Sequence, residues 1–432
     1  MSKKYYNLAS LAKWFYPGMQ VKRFLLIVLA GIILMAVGLI FLLDLTRFLW
    51  IKNQIRSLFI YYNIAPHLSG LILILAGSAM VILGISNINR SILKKVIPQQ
   101  IDQIPEIIYA KRKLEKGPHI VVIGGGTGLH TLLRGLKQYT SNITAIVTVF
   151  DSGGSSGLLR NELGVLPPGD IRNCLVALST RESLMTELFQ YRFKDGSLQG
   201  HSFGNLFITA MSEVSGDFSE AVKKSSEILA IRGRVLPSSI ENVTLCARLK
   251  NNIIIKGESN IAKGKGKIDN VFIEPSLALP LPDTIKAIEG ADTVILGPGS
   301  LYTSVICNLL VKDIPEAICK SNATKIYICN VMTQSGETDN YSTSMHLTEV
   351  IKYLKQNCLD YVLLNNKKLD KKMAVKYQDE GAFPVKNDLL NTKYDQKTNI
   401  ISQELLSEYN FARHSSEKLA KLIMEIIHKE KN

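Results

Sequence analysis

His119-Ile-Val-Val-Ile-Gly-Gly-Gly-Thr-Gly128 decides how this chain folds. A short β-branched run meets a cluster of glycines, and Leu129 to Leu136 then reads as a helix. Glycines let the backbone turn tightly and leave amides free, and the N-terminus of the next helix adds partial positive charge. Phosphate or diphosphate is the guest that such a turn suits, at Gly124, Gly125, Gly126, Thr127 and Gly128. The spacing is not GxGxxG, because Leu129 stands where the last glycine would be, and no Gly-Lys-Ser/Thr follows to make a Walker A loop. The turn sets a ligand chemistry but no nucleotide class, and the plain alternative is a tight βα turn with no ligand.

Beyond this turn, Ile143 to Phe150 reads as a second strand, almost wholly apolar, as expected of a strand covered on both faces. Helices are expected around Ile171–Leu178, Leu184–Tyr191, Asn205–Val214, Ser219–Leu229 and Ser415–His428. Strand-like runs recur at Val243–Leu249, Ile253–Ile255, Val271–Ile273, Thr293–Leu296, Lys325–Cys329 and Tyr361–Leu364. This alternation predicts an α/β domain over residues 118–432, a Rossmann-like and mostly parallel sheet with helices on both faces.

Further polar turns fall where such a sheet carries its ligand crevice. Asp151, Gly153, Gly154, Ser155 and Ser156 follow the second strand, with Asp151 placed as a ribose-binding acid or a metal ligand. Asp170 and Asn173 lie in Pro167-Pro-Gly-Asp-Ile-Arg-Asn173, where Asp170 is either a ligand contact or a helix cap. His201 and Asn205 sit at the mouth of an apolar helix. Gly297, Gly299 and Ser300 form a second anion-type turn after a strand, so the sheet suits one long ligand or two facing ones.

Upstream the chain changes character. Residues 24–43 and 68–85 are uncharged runs of spanning length, read as a two-helix transmembrane hairpin within an anchor of residues 1–86. Trp14, Tyr16, Trp50, Tyr61 and Tyr62 flank it as interfacial aromatics. Residues 1–118 hold 15 of the 51 Lys and Arg but 4 of the 37 Asp and Glu. These cations lie mainly before the first span and after the second, which places both termini and the body in the cytoplasm. Residues 87–117 read as a basic connector broken at Pro98, Pro105 and Pro118. With the charge outside the body, nucleic acid is excluded as a partner. The six cysteines form no CxxC or zinc pattern and read as buried small hydrophobes of a reducing compartment.

Taken in order, several motifs make the chain from about Pro118 onward recognisable. They are Gly124-Gly-Gly-Thr-Gly128, Gly153-Gly-Ser-Ser-Gly157, Pro167-Pro-Gly-Asp-Ile-Arg-Asn-Cys174, Gly200-His-Ser-Phe-Gly-Asn205 and Gly297-Pro-Gly-Ser-Leu-Tyr-Thr-Ser304. Asn330-Val-Met-Thr-Gln334 with Gly336-Glu-Thr338, Tyr377-Gln-Asp-Glu-Gly-Ala382 and Arg413-His414 complete the set. The sequence resembles the 2-phospho-L-lactate transferase (CofD-like) family, most closely its bacterial YvcK-like gluconeogenesis-factor branch.

The resemblance implies a UDP-sugar ligand, UDP-N-acetylglucosamine or UDP-glucose, and a regulatory role in cell-wall synthesis, cell shape and growth on gluconeogenic carbon. It implies phosphate or sugar contacts at Gly125–Gly128 and Gly297–Ser300, base stacking by Tyr377 and diphosphate pairing by Arg413. Cell-wall synthesis proteins and a second copy of the chain are the protein partners it admits. The transferase branch supplies the alternative: transfer of a phospholactate-like group from a nucleotide-diphosphate donor, with Asp151 catalytic and Mg²⁺ assisting. Two departures weigh against transfer. Ser152 replaces the second acid of the family's pair, and Leu158 stands where the branch commonly has arginine. The missing GxGxxG argues against a nicotinamide-dependent oxidoreductase.

Overall fold

A computed structural model of the chain describes residues 21–43, 66–96, 104–180, 182–264, 266–389, 398–407 and 411–431. Trp14, Tyr16, Trp50, Tyr61, Tyr62, Pro98 and the cations of residues 1–20 and 44–65 lie outside the described residues. The chain divides into two compact units, Met1–Ala110 and Lys111–Asn432.

In the first unit, α1 (Val21–Leu42) and α2 (Pro66–Val96) are long and apolar enough to cross a membrane. Only 17% and 22% of their most apolar windows are buried, whereas a core helix of a soluble domain is mostly buried. α2 runs through residue 86 without a break and carries Arg90 on its helical extension. The two helices pack antiparallel along a glycine seam. A Cβ at Gly31 would lie 2.7 Å from the Gly77 carbonyl oxygen, and one at Gly38 would lie 2.8 Å from that of Gly70. Only residues without side chains let two helix backbones approach this closely. α3 (Ile104–Glu115) follows; Pro105 falls in its first turn, where proline is tolerated rather than breaking.

The second unit is built on a seven-stranded, all-parallel sheet. Its strands are β1 (Ile120–Gly124), β2 (Ile143–Val147), β3 (Arg234–Pro237), β7 (Thr293–Leu296), β8 (Thr324–Ile328), β9 (Tyr361–Asn365) and β10 (Asn399–Gln403). Their order is β10-β9-β8-β7-β1-β2-β3. Alternate residues of β1 feed the two cores. Val121 and Ile123 pack on one face and Ile120 and Val122 on the other, all at most 2% exposed. Covering helices include α4 (Gly126–Leu136), α5 (Gly154–Leu163), α6 (Gly169–Leu178), α7 (Glu182–Gln190), α8 (Phe203–Ser215) and α9 (Phe218–Ile228). α10 (Pro282–Glu289) precedes β7, and α11 (Ile314–Lys320), α12 (Thr343–Leu354), α13 (Lys371–Asp379) and α14 (Ser416–Lys431) follow it.

Two expectations are corrected. The runs at Val243–Leu249, Ile253–Ile255 and Val271–Ile273 do not join the parallel sheet. As β4 (Thr244–Leu249), β5 (Ile254–Lys256) and β6 (Ile268–Glu274) they form a separate antiparallel sheet, β5-β4-β6. Only four residues link β4 to β5, with Asn252 at φ 66° in the turn, and so short a link cannot hold the crossover that a parallel pair needs. The cysteines are also not all separate. Cys319 and Cys358 are disulfide-bonded, whereas Cys174, Cys246, Cys307 and Cys329 are buried and free.

Candidate functional site

Reading the main sheet outward from β1, the order runs to β2 and β3 on one side and to β7 and β8 on the other. The strand order therefore reverses between β1 and β7. In an open α/β sheet a crevice opens at this point beyond the strand C-termini. The two glycine turns leave β1 and β7 here, side by side.

They lie in contact. A Cβ on Gly128 would come within 2.5 Å of the Pro298 carbonyl oxygen, and one on Gly299 within 3.2 Å of the Gly125 carbonyl oxygen. Gly126 and Gly297 have φ of 65° and 81°, where other residues are strained. A Cβ on Gly125 would meet Thr148 at 2.4 Å and the Asp170 carboxylate at 2.6 Å. The glycine excess therefore has a structural cause in close packing, besides any role toward a ligand. Gly124 and Gly297 close the strands beneath: Gly297 N–H donates to the Ile123 carbonyl, and Thr148 N–H to that of Gly124.

Between the turns is a cleft of about 180 Å³. Gly125, Gly126, Thr127, Gly128, Gly299, Ser300 and Arg413 all line it. α4 starts here with Gly125 extended and no side chain capping it, so its first-turn amides face the cleft. Tyr377 is not a lining residue. Its ring packs with Val331, Met332, Leu406 and Ala412, and its hydroxyl accepts from Ala412 N–H at 3.1 Å, so it holds the segment that carries Arg413.

A second cleft of about 240 Å³ opens beside the first and gathers Asp151, Gly153, Gly154, Ser155, Ser156, Asp170, Asn173 and Asn205. The glycine–serine run here opens a helix: Gly153 caps α5, so Ser155 and Ser156 are first-turn residues. Ser155 Oγ accepts from Asn205 Nδ2 at 3.1 Å and lies 3.1 Å from His201 Nδ1. His201, 7% exposed, thus stands behind Ser155. Asp170 forms the wall between the clefts. It is no cap; its carboxylate accepts from Gly126 N–H, which takes one amide of the first turn out of use. Burial, with Asp151 nearby, raises its carboxyl to about 6 against the pull of Gly126 and Arg172.

Sequence reasoning missed several contributors. Arg172 and Arg192 line the second cleft, and Arg172 donates to Asn205 at 2.9 Å and to Asn173 at 2.9 Å. Glu258 opens the short helix Glu258–Ile261 in the β5–β6 connection of the antiparallel sheet. Its carboxylate accepts from Ser152 N–H, while burial and the charges of Asp151, Glu337 and Asp170 raise its carboxyl to about 7. A carboxylate from elsewhere in the chain therefore sits beside the position where Ser152 lacks one. Ser152 itself accepts from Ser259 N–H at 3.1 Å. Leu158 is 46% exposed and lines neither cleft. Among the described residues no three His, Cys, Asp or Glu side chains stand together as a metal-ligand set.

Residues 120–406 match the family model of 2-phospho-L-lactate transferase CofD. The chain belongs to the CofD family, in its gluconeogenesis-factor branch. A relative from Bacillus subtilis named "Gluconeogenesis factor" is 45% identical over 311 residues, 72% of this chain and 98% of its own. A Nostoc homologue in the same branch is 46% identical over 429 residues, 96% of this chain and 92% of its own. A Bacillus halodurans crystal structure matches with a TM-score of 0.69 and 46% identity, covering 72% of this chain and 100% of that one.

Proposed function

We propose that this gluconeogenesis-factor homologue is a membrane-tethered regulator that binds a UDP-sugar in the crevice between the β1 and β7 turns and links carbon metabolism to cell-wall synthesis and cell shape. The observation that carries the reading is the pairing of two glycine turns at the switch point with Arg413 on the rim of the same cleft. Free amides and one guanidinium suit the two charges of a diphosphate. The adjoining cleft, with Arg172, Asn173 and Asn205, then receives the sugar. The apolar α1 and α2 support a tether, with the body on the cytoplasmic side and cell-wall synthesis proteins or a second copy of the chain as its partners. UDP-N-acetylglucosamine and UDP-glucose are the ligands to titrate calorimetrically against residues 111–432. Binding without turnover is expected, and no heat with any UDP-sugar would remove the reading.

One observation favours the transferase alternative: Glu258 beside Asp151 restores a carboxylate pair. Under that reading, release of nucleoside monophosphate from a nucleotide-diphosphate donor is abolished in both Asp151→Asn and Glu258→Gln.

A further inference from the structure

The diphosphate reading leaves one side chain of the cleft without a task. His414 lines the same cleft as Gly125 to Gly128, is 6% exposed, and its Nε2 has no hydrogen-bond partner. Gln334 lines the cleft too, and its Oε1 is likewise buried and unpartnered. A polar atom buried without a partner costs free energy, so two of them converging on one cleft mark positions that a ligand completes. The backbone holds the imidazole in place: Ser407 N–H donates to the Arg413 carbonyl and Ser415 N–H to that of Leu405.

The surroundings say which ligand group belongs there. The helix N-terminus of α4 and Arg413, whose guanidinium lies 5.0 Å from the Phe411 ring centroid, line the same cleft, and both favour an anion. A groove on the other side of His414 brings Arg134, Glu417 and Lys418. Burial alone lowers the His414 imidazole to about 4, so it is neutral in the empty protein near pH 7.

We propose that His414 contacts a phosphate of the bound nucleotide through Nε2 and takes up a proton as the ligand binds. This rests on the crevice being a nucleotide-diphosphate site. An anion against the imidazole favours its charged form, and the resulting hydrogen bond is charge-assisted. Affinity therefore rises as pH falls through the range in which the bound form is protonated and the free form is not.

Isothermal titration of the chain with UDP-N-acetylglucosamine, UDP-glucose and GDP-mannose between pH 8 and pH 5.5 tests this. The diphosphates of these sugars do not titrate in that range. Affinity should rise about tenfold per pH unit at the steepest point, since one proton is linked to binding. Repeating the titration in buffers of different ionisation enthalpy should show close to one proton taken up. Asp170 in the adjoining cleft and Glu258, which is coupled to Asp151 and Asp170, also titrate in this window, so the controlling variant is His414→Gln. It keeps a hydrogen-bond donor but cannot gain a proton, so whatever its affinity at pH 8 it loses most of the pH dependence. His414→Phe should bind weakly at every pH, with folding of both variants checked by thermal unfolding. Wild-type affinity that ignores pH, or a pH dependence that survives in His414→Gln, overturns the proposal and leaves the site reading intact. Binding of GDP-mannose alone overturns the UDP-sugar assignment and leaves His414 testable. Failure of all three ligands overturns both.

Discussion

Gly128 is a glycine for a reason that spacing cannot express. Its Cα faces the Pro298 carbonyl, 170 residues away in the chain, and any Cβ would overlap it at 2.5 Å. Gly154 is the contrasting case, with φ at 47° but nothing within 4 Å of its Cβ position. Gly128→Ala should force the two turns apart, lowering unfolding stability by about 1–3 kcal/mol and UDP-sugar affinity more than tenfold. Gly154→Ala should cost only the backbone strain of about 1–2 kcal/mol and leave affinity within about threefold. Urea titration and calorimetry on both variants decide this; equal losses of affinity would mean the turn contact is not what shapes the site. Glu258 makes a second residue-scale point. Its carboxyl is raised to about 7, so the folded state holds a proton that the unfolded chain, at an ordinary value of 4.5, releases earlier. Stability from this group is full below pH 4.5 and is lost as pH rises through 7. Glu258→Gln should therefore gain about 1–2 kcal/mol at pH 8, reduced for partial exposure, and almost nothing at pH 4.5. A gain of the same size at both pH values would mean packing, not charge. The glycines were legible from the sequence because their type is rare and clustered. Glu258 and Arg192 were not, since a lone acid or arginine carries no pattern until the fold gathers it, and His414 was visible only as half of the Arg413-His414 motif, with no role attached to it.

Strand and helix positions were readable because apolar runs and turn residues mark them locally. Which sheet a strand joins was not: each of these runs holds apolar residues, and the short β4–β5 link and the alternating burial of β6 mark the antiparallel sheet only once the pairing is known. β3 and β10 escaped notice as short edge strands with mixed burial. The glycine seam of α1 and α2 was likewise present in the sequence as Gly31 and Gly38 against Gly70, Gly77 and Gly84, each seven residues from the next. A hydropathy reading of the same helices sees only apolar length. The seam predicts a hairpin held by backbone contact. Met35 Sδ lies 3.3 Å from Ser78 Oγ, so the double variant Met35→Cys with Ser78→Cys should crosslink efficiently in native membranes. Adding Gly77→Val, whose side chain would meet the Gly31 carbonyl and Met35, should cut the crosslinked fraction severalfold. Undiminished crosslinking would show that the glycines do not set the approach of the helices.

The whole molecule separates what holds the site together from what locates it. Every residue lining the two clefts belongs to Lys111–Asn432, and that unit's sheet and both of its cores are complete without the first unit. The relatives come in two lengths that fit this division. The Nostoc protein aligns along 96% of this chain, whereas the Bacillus subtilis protein is 98% covered while matching only 72% of it. A domain that occurs with and without the N-terminal segment does not depend on that segment to fold. The fragment 111–432 should therefore unfold in one urea transition and bind a UDP-sugar within about twofold of the full chain, because interactions confined to one unit add independently of the other. Full-length protein should stay with carbonate-washed membranes and the fragment should not, since two apolar helices of spanning length hold a chain in lipid far more firmly than a surface contact does. A tenfold loss of affinity in the fragment would show that the first unit reaches into binding. Fragment remaining with the membrane after the carbonate wash would show that the tether is not confined to α1 and α2.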